Sequence, residues 1–246
     1  MYFSPRIVTS GLVSLFDILD KNSNPANNSW IDLVNPARLT YLKTTTFGGG
    51  SGNGKYIRTD GTGAGLNLVG SRININTVGS NIDRFNISSN FSFVILAYPE
   101  VGGTRIFSTG SAGSGTTDNC VWQMWLAQSN FYWWNSAGGG TNNININATM
   151  YNTNVWNHIT ITYSSSGATA RVYLNGIQTG VQTGAIDLMD RTGQTDLQWT
   201  LGGGYASSCY TENTACRFQQ FAIYNRTLSA TEVLQNFNAV RSRVNL

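Results

Sequence analysis

Charged side chains make up only 11% of these 246 residues, well under the roughly 25% of an ordinary soluble domain. The net charge of +3 comes from scattered residues. No basic run offers the phosphate-neutralising patch that nucleic-acid binding needs, so that function class drops out. Histidine is present once, as His158. Any Ser-His-Asp, Cys-His or zinc arrangement would have to use it, because the imidazole is the base that activates the nucleophile. It alternates with Trp156 and Thr160, opposite Ile159 and Ile161, and is expected as a sheet-surface or partly packed side chain. Glutamate is scarce as well: Glu100, Glu212 and Glu232 fall in no paired Glu-x-Asp-x-Glu strand. The two carboxyl groups of a glycosidase would therefore have to come from an Asp pair on separate strands.

The three cysteines leave one unpaired whatever their arrangement. Cys209 and Cys216 bracket the loop CYTENTAC and could bridge it, while Cys120 sits beside Trp122. The odd count favours reduced thiols. Pro5 and Arg6 interrupt the N-terminus where a secretory signal would need an apolar core, so export by the standard signal route is not expected. No stretch approaches the ~18 apolar residues of a membrane span, and no membrane partner is expected.

What the chain has instead is glycine, asparagine, serine and threonine between short apolar runs. The 27 glycines and 41% hydrophobic residues suit many turns between short strands and a sizeable core. Between Trp156 and Gly180, Ile159, Ile161 and Tyr163 alternate with Thr160 and Thr162, the period of a half-buried strand. Val172 and Leu174 then oppose Arg171, Tyr173 and Asn175. Asn175-Gly176 supplies the two positive-φ residues of a type I′ hairpin turn before Ile177.

Further strands are expected at Gly11–Asp17, Lys55–Thr59, Leu66–Val69, Arg72–Ile75 and Ser92–Tyr98. Others follow at Arg105–Ser108, Val121–Leu126, Phe131–Asn135, Leu197–Leu201 and Arg217–Tyr224. In the last, Phe218, Gln220, Ala222 and Tyr224 alternate against Gln219, Phe221 and Ile223. Ser229 with Glu232 three residues on forms a capping box, and Val233, Leu234, Phe237 and Val240 line one helical face behind it. The expectation is an all-β chain: a two-sheet antiparallel jelly-roll sandwich with a short C-terminal helix. Residues 1–10 form an N-terminal arm and residues 11–246 a single domain.

In order, GLVSLFD, NNSWIDLVN, WNHITITY, RVYLNGIQTG and RFQQFAIYNRTLSATEVLQNF resemble the concanavalin A-like, laminin-G-like jelly rolls. The segment YIRTDGTGAG departs from them, with Arg58 and Thr59 where an apolar-aromatic pair is commoner. The ends, SPRIVT before GLV and QNFNA before Arg241 and Arg243, look like those of laminin-G-like structural proteins of tailed bacteriophages. That resemblance implies a non-enzymatic protein on the outside of a virion, assembled in the host cytoplasm, as a head decoration or a neck, fibre or adhesin component. Its partners would be capsid, neck or tail proteins and host surface glycans, with a symmetric homo-oligomer as the default. The alternative is a free carbohydrate-binding lectin module.

Three groups of residues are candidates for contact. In VWQMWLAQSNFYWWNS the adjacent Trp133 and Trp134 must point to opposite faces of a strand, so one should face outward. That ring, with Trp125, Tyr132 and Asn135, would stack on a sugar or anchor a partner. Pro5, Arg6, Ile7 and Val8 form an arm able to pair with a neighbour's sheet edge. No cofactor is required, though Asp60, Asp83 and Asp118 lie in loops of the kind that hold calcium with oxygen ligands.

Overall fold

In the computed structural model, residues 6–23, 30–36, 39–43, 46–49, 54–61, 72–76, 90–103, 105–112, 120–135, 142–184, 198–202 and 214–246 are described. They form two antiparallel sheets and one C-terminal helix. The eight-stranded sheet contains β1 (Leu12–Asp17), β3 (Thr46–Gly48), β4 (Tyr56–Asp60), β6 (Asn90–Pro99), β11 (Asn157–Ser164), β12 (Thr169–Leu174), β13 (Ile177–Thr183) and β15 (Ala215–Tyr224). Its partner contains β2 (Leu39–Lys43), β5 (Arg72–Asn76), β7 (Phe107–Ala112), β8 (Cys120–Leu126), β9 (Asn130–Asn135), β10 (Asn142–Asn147) and β14 (Gln198–Leu201). The helix α1 spans Ala230–Val240. Expected strands thus recur within a few residues, while β2, β3 and β10 carry no expectation from the sequence and Leu66–Val69 lies outside the described residues.

Aromatic rings from both sheets meet in the core. Phe93 of β6 lies 4.7 Å from Phe107 of β7 between ring centroids, and Phe107 lies 6.0 Å from Phe221 of β15. Trp133 of β9 is fully buried, 5.2 Å from both Phe91 and Tyr163 in edge-on contacts. Tilted and edge-on pairs of this kind satisfy the ring quadrupoles while burying large apolar areas. Asn175 and Gly176 both have positive φ, at 52° and 81°, and they join β12 to β13 through the two-residue turn that the sequence predicts.

β15 is the organising strand. One edge pairs along its length with β6, whereas the other is divided: Ala215–Phe218 pair with β4 and Gln220–Tyr224 with β1. The change of partner coincides with a bulge, since Phe218 faces Ala97 and Gln220, not Gln219, faces Leu96. The Gln219 carbonyl accepts the Ile18 N–H at 3.0 Å. An inserted residue reverses the alternation. Phe218 therefore enters the core with Phe221 and Ile223, instead of joining Ala222 and Tyr224 as unbroken alternation predicts.

The outer face of the eight-stranded sheet is half covered. Val8, Val94, Tyr173, Ala222, Tyr224, Leu228 and Val233 form a second apolar cluster there, under α1 and the N-terminal segment. The capping box is present: the Ser229 side chain accepts from the Glu232 N–H, and the Glu232 side chain accepts from the Ser229 N–H. The buried stripe of the helix is Val233, Asn236 and Val240. Leu234, expected on that stripe, is 45% exposed; the polar Asn236 replaces it because it has buried partners to satisfy. Asn236 Oδ1 accepts the Val8 N–H at 2.8 Å, and its Nδ2 donates to the Tyr224 hydroxyl at 3.1 Å. Tyr224 in turn donates to the Val8 carbonyl at 2.9 Å. Val8 and the C-terminal helix are thus fastened to one sheet.

His158 lies beneath this cover and is fully buried, rather than on the sheet surface. Its ring sits 5.8 Å from that of Phe237. Neither ring nitrogen has a hydrogen-bond partner among the described residues, and burial pushes its pKa down to about 4. Neutral and sealed under a helix, it is not placed to act as a base toward a substrate.

Along one side the two sheets approach through their edge strands. The Asn145 N–H of β10 donates to Gln182 Oε1 of β13 at 2.8 Å. Gly180 sits so close to β10 that a Cβ there would fall 2.4 Å from Ile146 Cγ2. Only glycine allows that approach.

Candidate functional site

On the eight-stranded sheet, β4, β15, β6 and the start of β11 bring together a ladder of aromatic and charged side chains. It is built by strand register. Arg58 of β4 stands opposite Arg217 of β15, and Arg217 stands opposite Tyr98 of β6. Trp156, one residue before β11, adjoins Tyr98, because Asn157 pairs with Ala97. Tyr56 shares the face of Arg58 by the two-residue period of β4, and its ring covers Gly48, where a Cβ would lie 2.5 Å from it.

The side chains form a continuous stack. The Arg217 guanidinium carbon lies 4.9 Å from the Tyr56 ring centroid and 4.7 Å from that of Tyr98, a cation between two π faces. Tyr98 meets Trp156 edge-on at 5.7 Å. Glu100, just past β6, anchors the cations. It accepts from Arg58 Nε at 3.0 Å and Nη2 at 2.6 Å, and from Arg217 Nε at 2.8 Å. Its own N–H donates to the Ala215 carbonyl at 2.8 Å. The hydrogen bond from Arg58, joined by that from Arg217, lowers the Glu100 pKa, and the Glu100 bond raises that of Arg58. Arg58 and Arg217 each keep 35% of their side-chain surface in solvent. The site is ordered yet open, able to offer ring faces, guanidinium donors and a carboxylate to one ligand.

None of these residues is predicted as a contact residue from the sequence. Four segments distant in sequence supply them, and only the pairing of β4, β15, β6 and β11 brings them together. One signal was available. Alternation in YIRTD puts Arg58 outward and Thr59 inward, and Thr59 is buried, its hydroxyl donating to the Thr214 carbonyl at 2.5 Å. The departure at Arg58-Thr59 therefore disturbs no core packing.

The residues predicted from the sequence are dispersed. Trp133, a candidate contact, belongs to the core and is withdrawn from solvent entirely. Tyr132 is half-buried on β9, opposite Trp125 of β8 and Asn145 of β10. Trp134 and Asn135 occupy β9 positions opposite Gln123 and Trp122, and the side chains of Trp125, Trp134 and Asn135 lie outside the described residues. Asp60 ends β4 on the face of Arg58, opposite Ala215. Asp83 and Asp118 lie outside the described residues, and among those described no three His, Cys, Asp or Glu side chains gather as a metal site would require. Pro5 is not described. Arg6 is exposed, Ile7 half-buried and Val8 buried. The Arg6 carbonyl accepts Gln235 Nε2 at 2.8 Å, and both backbone groups of Val8 are bonded within the chain, which removes them from pairing with a neighbour's edge. Cys216 carries a free, buried thiol; Cys209 is not described.

A family profile described as "Concanavalin A-like lectin/glucanases superfamily" matches residues 74–234. No curated protein sequence matches. Among solved structures, the binding domain of Paraclostridial Mosquitocidal Protein 1 is similar over 93% of this chain and 52% of its own, at 19% identity and a TM-score of 0.58. A Trypanosoma rangeli sialidase mutant displaying trans-sialidase activity is similar over 97% of this chain and 34% of its own, at 14% identity and a TM-score of 0.63. The binding domain of Botulinum Neurotoxin DC, in complex with SialylT, is similar over 94% of this chain and 52% of its own, at 12% identity and a TM-score of 0.58. The likeness is one of fold, and the chain spans about half the length of the toxin domains and about a third of the sialidase.

Proposed function

Because the chain belongs to the concanavalin A-like lectin/glucanases superfamily, we propose that it is a carbohydrate-binding module whose contact surface is the ladder Tyr56–Arg217–Tyr98–Trp156. The observation that carries this reading is the cation held between two tyrosines beside an edge-on tryptophan on a partly exposed sheet face. Rings offer their faces to the C–H side of a sugar, and fixed donors and acceptors beside them fit its hydroxyls. Binding without turnover is the reading adopted: Glu100 and Glu232 are both tied to arginines, which does not suit the raised pKa of a general acid. Fold analogy alone does not choose between binding and hydrolysis.

A glycan array with the native protein and Trp156→Ala and Tyr98→Ala variants tests it. Signal on a defined glycan set that both variants lose supports the site. Loss on Trp134→Ala alone would move the site to the outer face of the β8–β9 hairpin, where alternation with the buried Trp133 places position 134. Release of reducing sugar from any bound glycan would replace binding by hydrolysis.

The end motifs extend the proposal to location. The module would sit on the exterior of a phage particle, docked on capsid, neck or tail proteins and presenting the ladder to host glycans. Detection of the chain at repeated sites on purified particles by immunogold labelling is the expected outcome, and its absence from particles overturns this location while leaving the glycan reading standing.

A further inference from the structure

The charge inventory of the ladder narrows its ligand. A surface that recognises an acidic sugar needs a cation not already neutralised by the protein, since a carboxylate gains little from a guanidinium that is fully paired. Here the two guanidiniums share one carboxylate through hydrogen bonds of 2.6 to 3.0 Å. Asp60 stands two residues beyond Arg58 on the same face of β4 and acts electrostatically on it, after Glu100. Two positive groups are thus matched by two negative ones. The π faces add their own negative potential around Arg217, which further weakens the pull of these two guanidiniums on an anion. What remains for a ligand is short-range: ring faces, tyrosine hydroxyls and the unpaired edges of the guanidinium and carboxylate groups.

Resting on the carbohydrate reading above, we infer that the ladder takes an uncharged saccharide, a pyranose seated by its apolar face against Trp156 at the end of the stack, with its hydroxyls reaching the Tyr98 hydroxyl, Arg217 and Glu100. A sialic or uronic acid brings a carboxylate toward Glu100 and Asp60 and is disfavoured. Glu100 is then the residue that sets specificity. It holds the arginines in place for hydroxyls and repels acids, so its removal should turn the preference over.

The experiment is calorimetric titration of the full chain with a neutral galactose-terminated oligosaccharide and with the same oligosaccharide carrying a terminal sialyl residue, at low and high salt. The expected result is binding of the neutral member, about tenfold weaker binding of the sialylated one, and affinities that change less than about twofold between about 50 and about 500 mM salt. Glu100→Gln is expected to narrow or reverse the preference and to make binding salt-sensitive. Should that variant fail to fold, the salt series on the native protein still decides. Binding of the sialylated member alone, weakening steeply with salt, overturns the neutral-ligand inference and leaves the carbohydrate reading intact. Binding of neither, together with a silent array, overturns the carbohydrate reading beneath it.

Discussion

Arg58 and Arg217 face each other directly across the β4–β15 ladder, like charge against like charge. Such a pair is destabilising by itself. Glu100, bonded to both, converts the repulsion into a bridge. Glu100→Ala is therefore expected to cost about 1 kcal/mol, a modest figure because the three groups are partly hydrated. It should also loosen Arg217 from between Tyr56 and Tyr98. Urea denaturation of Glu100→Ala and of the double variant Glu100→Ala/Arg58→Ala checks this: the double variant, with one cation left, should recover part of the loss. A double variant less stable than the single one would show that repulsion is not the cause.

Trp133 and Trp134 separate a core role from a surface role. Trp133 fills the space between Phe91 and Tyr163, and Trp133→Ala should cost about 3–5 kcal/mol, the range for a buried aromatic replaced by alanine. A lost array signal in that variant would report unfolding rather than a broken contact. Thermal melts run beside the array distinguish the two.

How far the sequence foretold these features depends on how local their causes are. The turn at Asn175-Gly176 and the capping box at Ser229 and Glu232 are set by residues within four positions of each other, and both stand where expected. The helix stripe departs from the periodic pattern at Leu234 and Asn236 because a polar residue fits the buried position once Val8, far away in sequence, and Tyr224 provide its hydrogen bonds. The phase of β15 departs from simple alternation for a similar reason. Nothing within Arg217–Tyr224 announces the bulge at Gln219, which arises where the strand changes partner from β4 to β1. β10, NNININ, was hidden in an asparagine-rich stretch although Ile144 and Ile146 alternate. The ladder was least visible of all, since its six side chains share only a sheet register.

Asn236 is the pin between the two chain ends. Asn236→Leu preserves volume but leaves the Val8 N–H without an acceptor and the Tyr224 hydroxyl without a donor, and should cost about 1–3 kcal/mol. Deleting residues 1–9 removes the same contacts, so it should lower the melting temperature comparably. Loss of particle incorporation on that deletion would then need comparison with Asn236→Leu, which keeps the arm. If Asn236→Leu melts like the native chain, the pin is not what holds the ends.

His158 gives the fold an acid limit. In the folded chain burial lowers its pKa from 6.5 to about 4, so between those values the unfolded chain binds a proton that the folded chain does not. Stability is complete above about pH 6.5 and falls as the pH drops toward 4. Over that interval the loss from this group alone amounts to about 3 kcal/mol. The ring packs beside Phe237 and, among the described residues, has no hydrogen-bond partner to receive a charge, so protonation is expected to accompany opening of the helix from the sheet or unfolding. His158→Phe should flatten the stability profile between pH 6.5 and 4, whereas Glu232, whose pKa is held down from 4.5 to about 2 chiefly by Arg226, loses its contribution mainly as the pH falls from about 4.5 toward 2. Denaturation midpoints of the native chain and of His158→Phe measured across that interval decide the matter: parallel profiles would mean that the imidazole is protonated in place, and that the cover over it is looser than the packing of Phe237 implies.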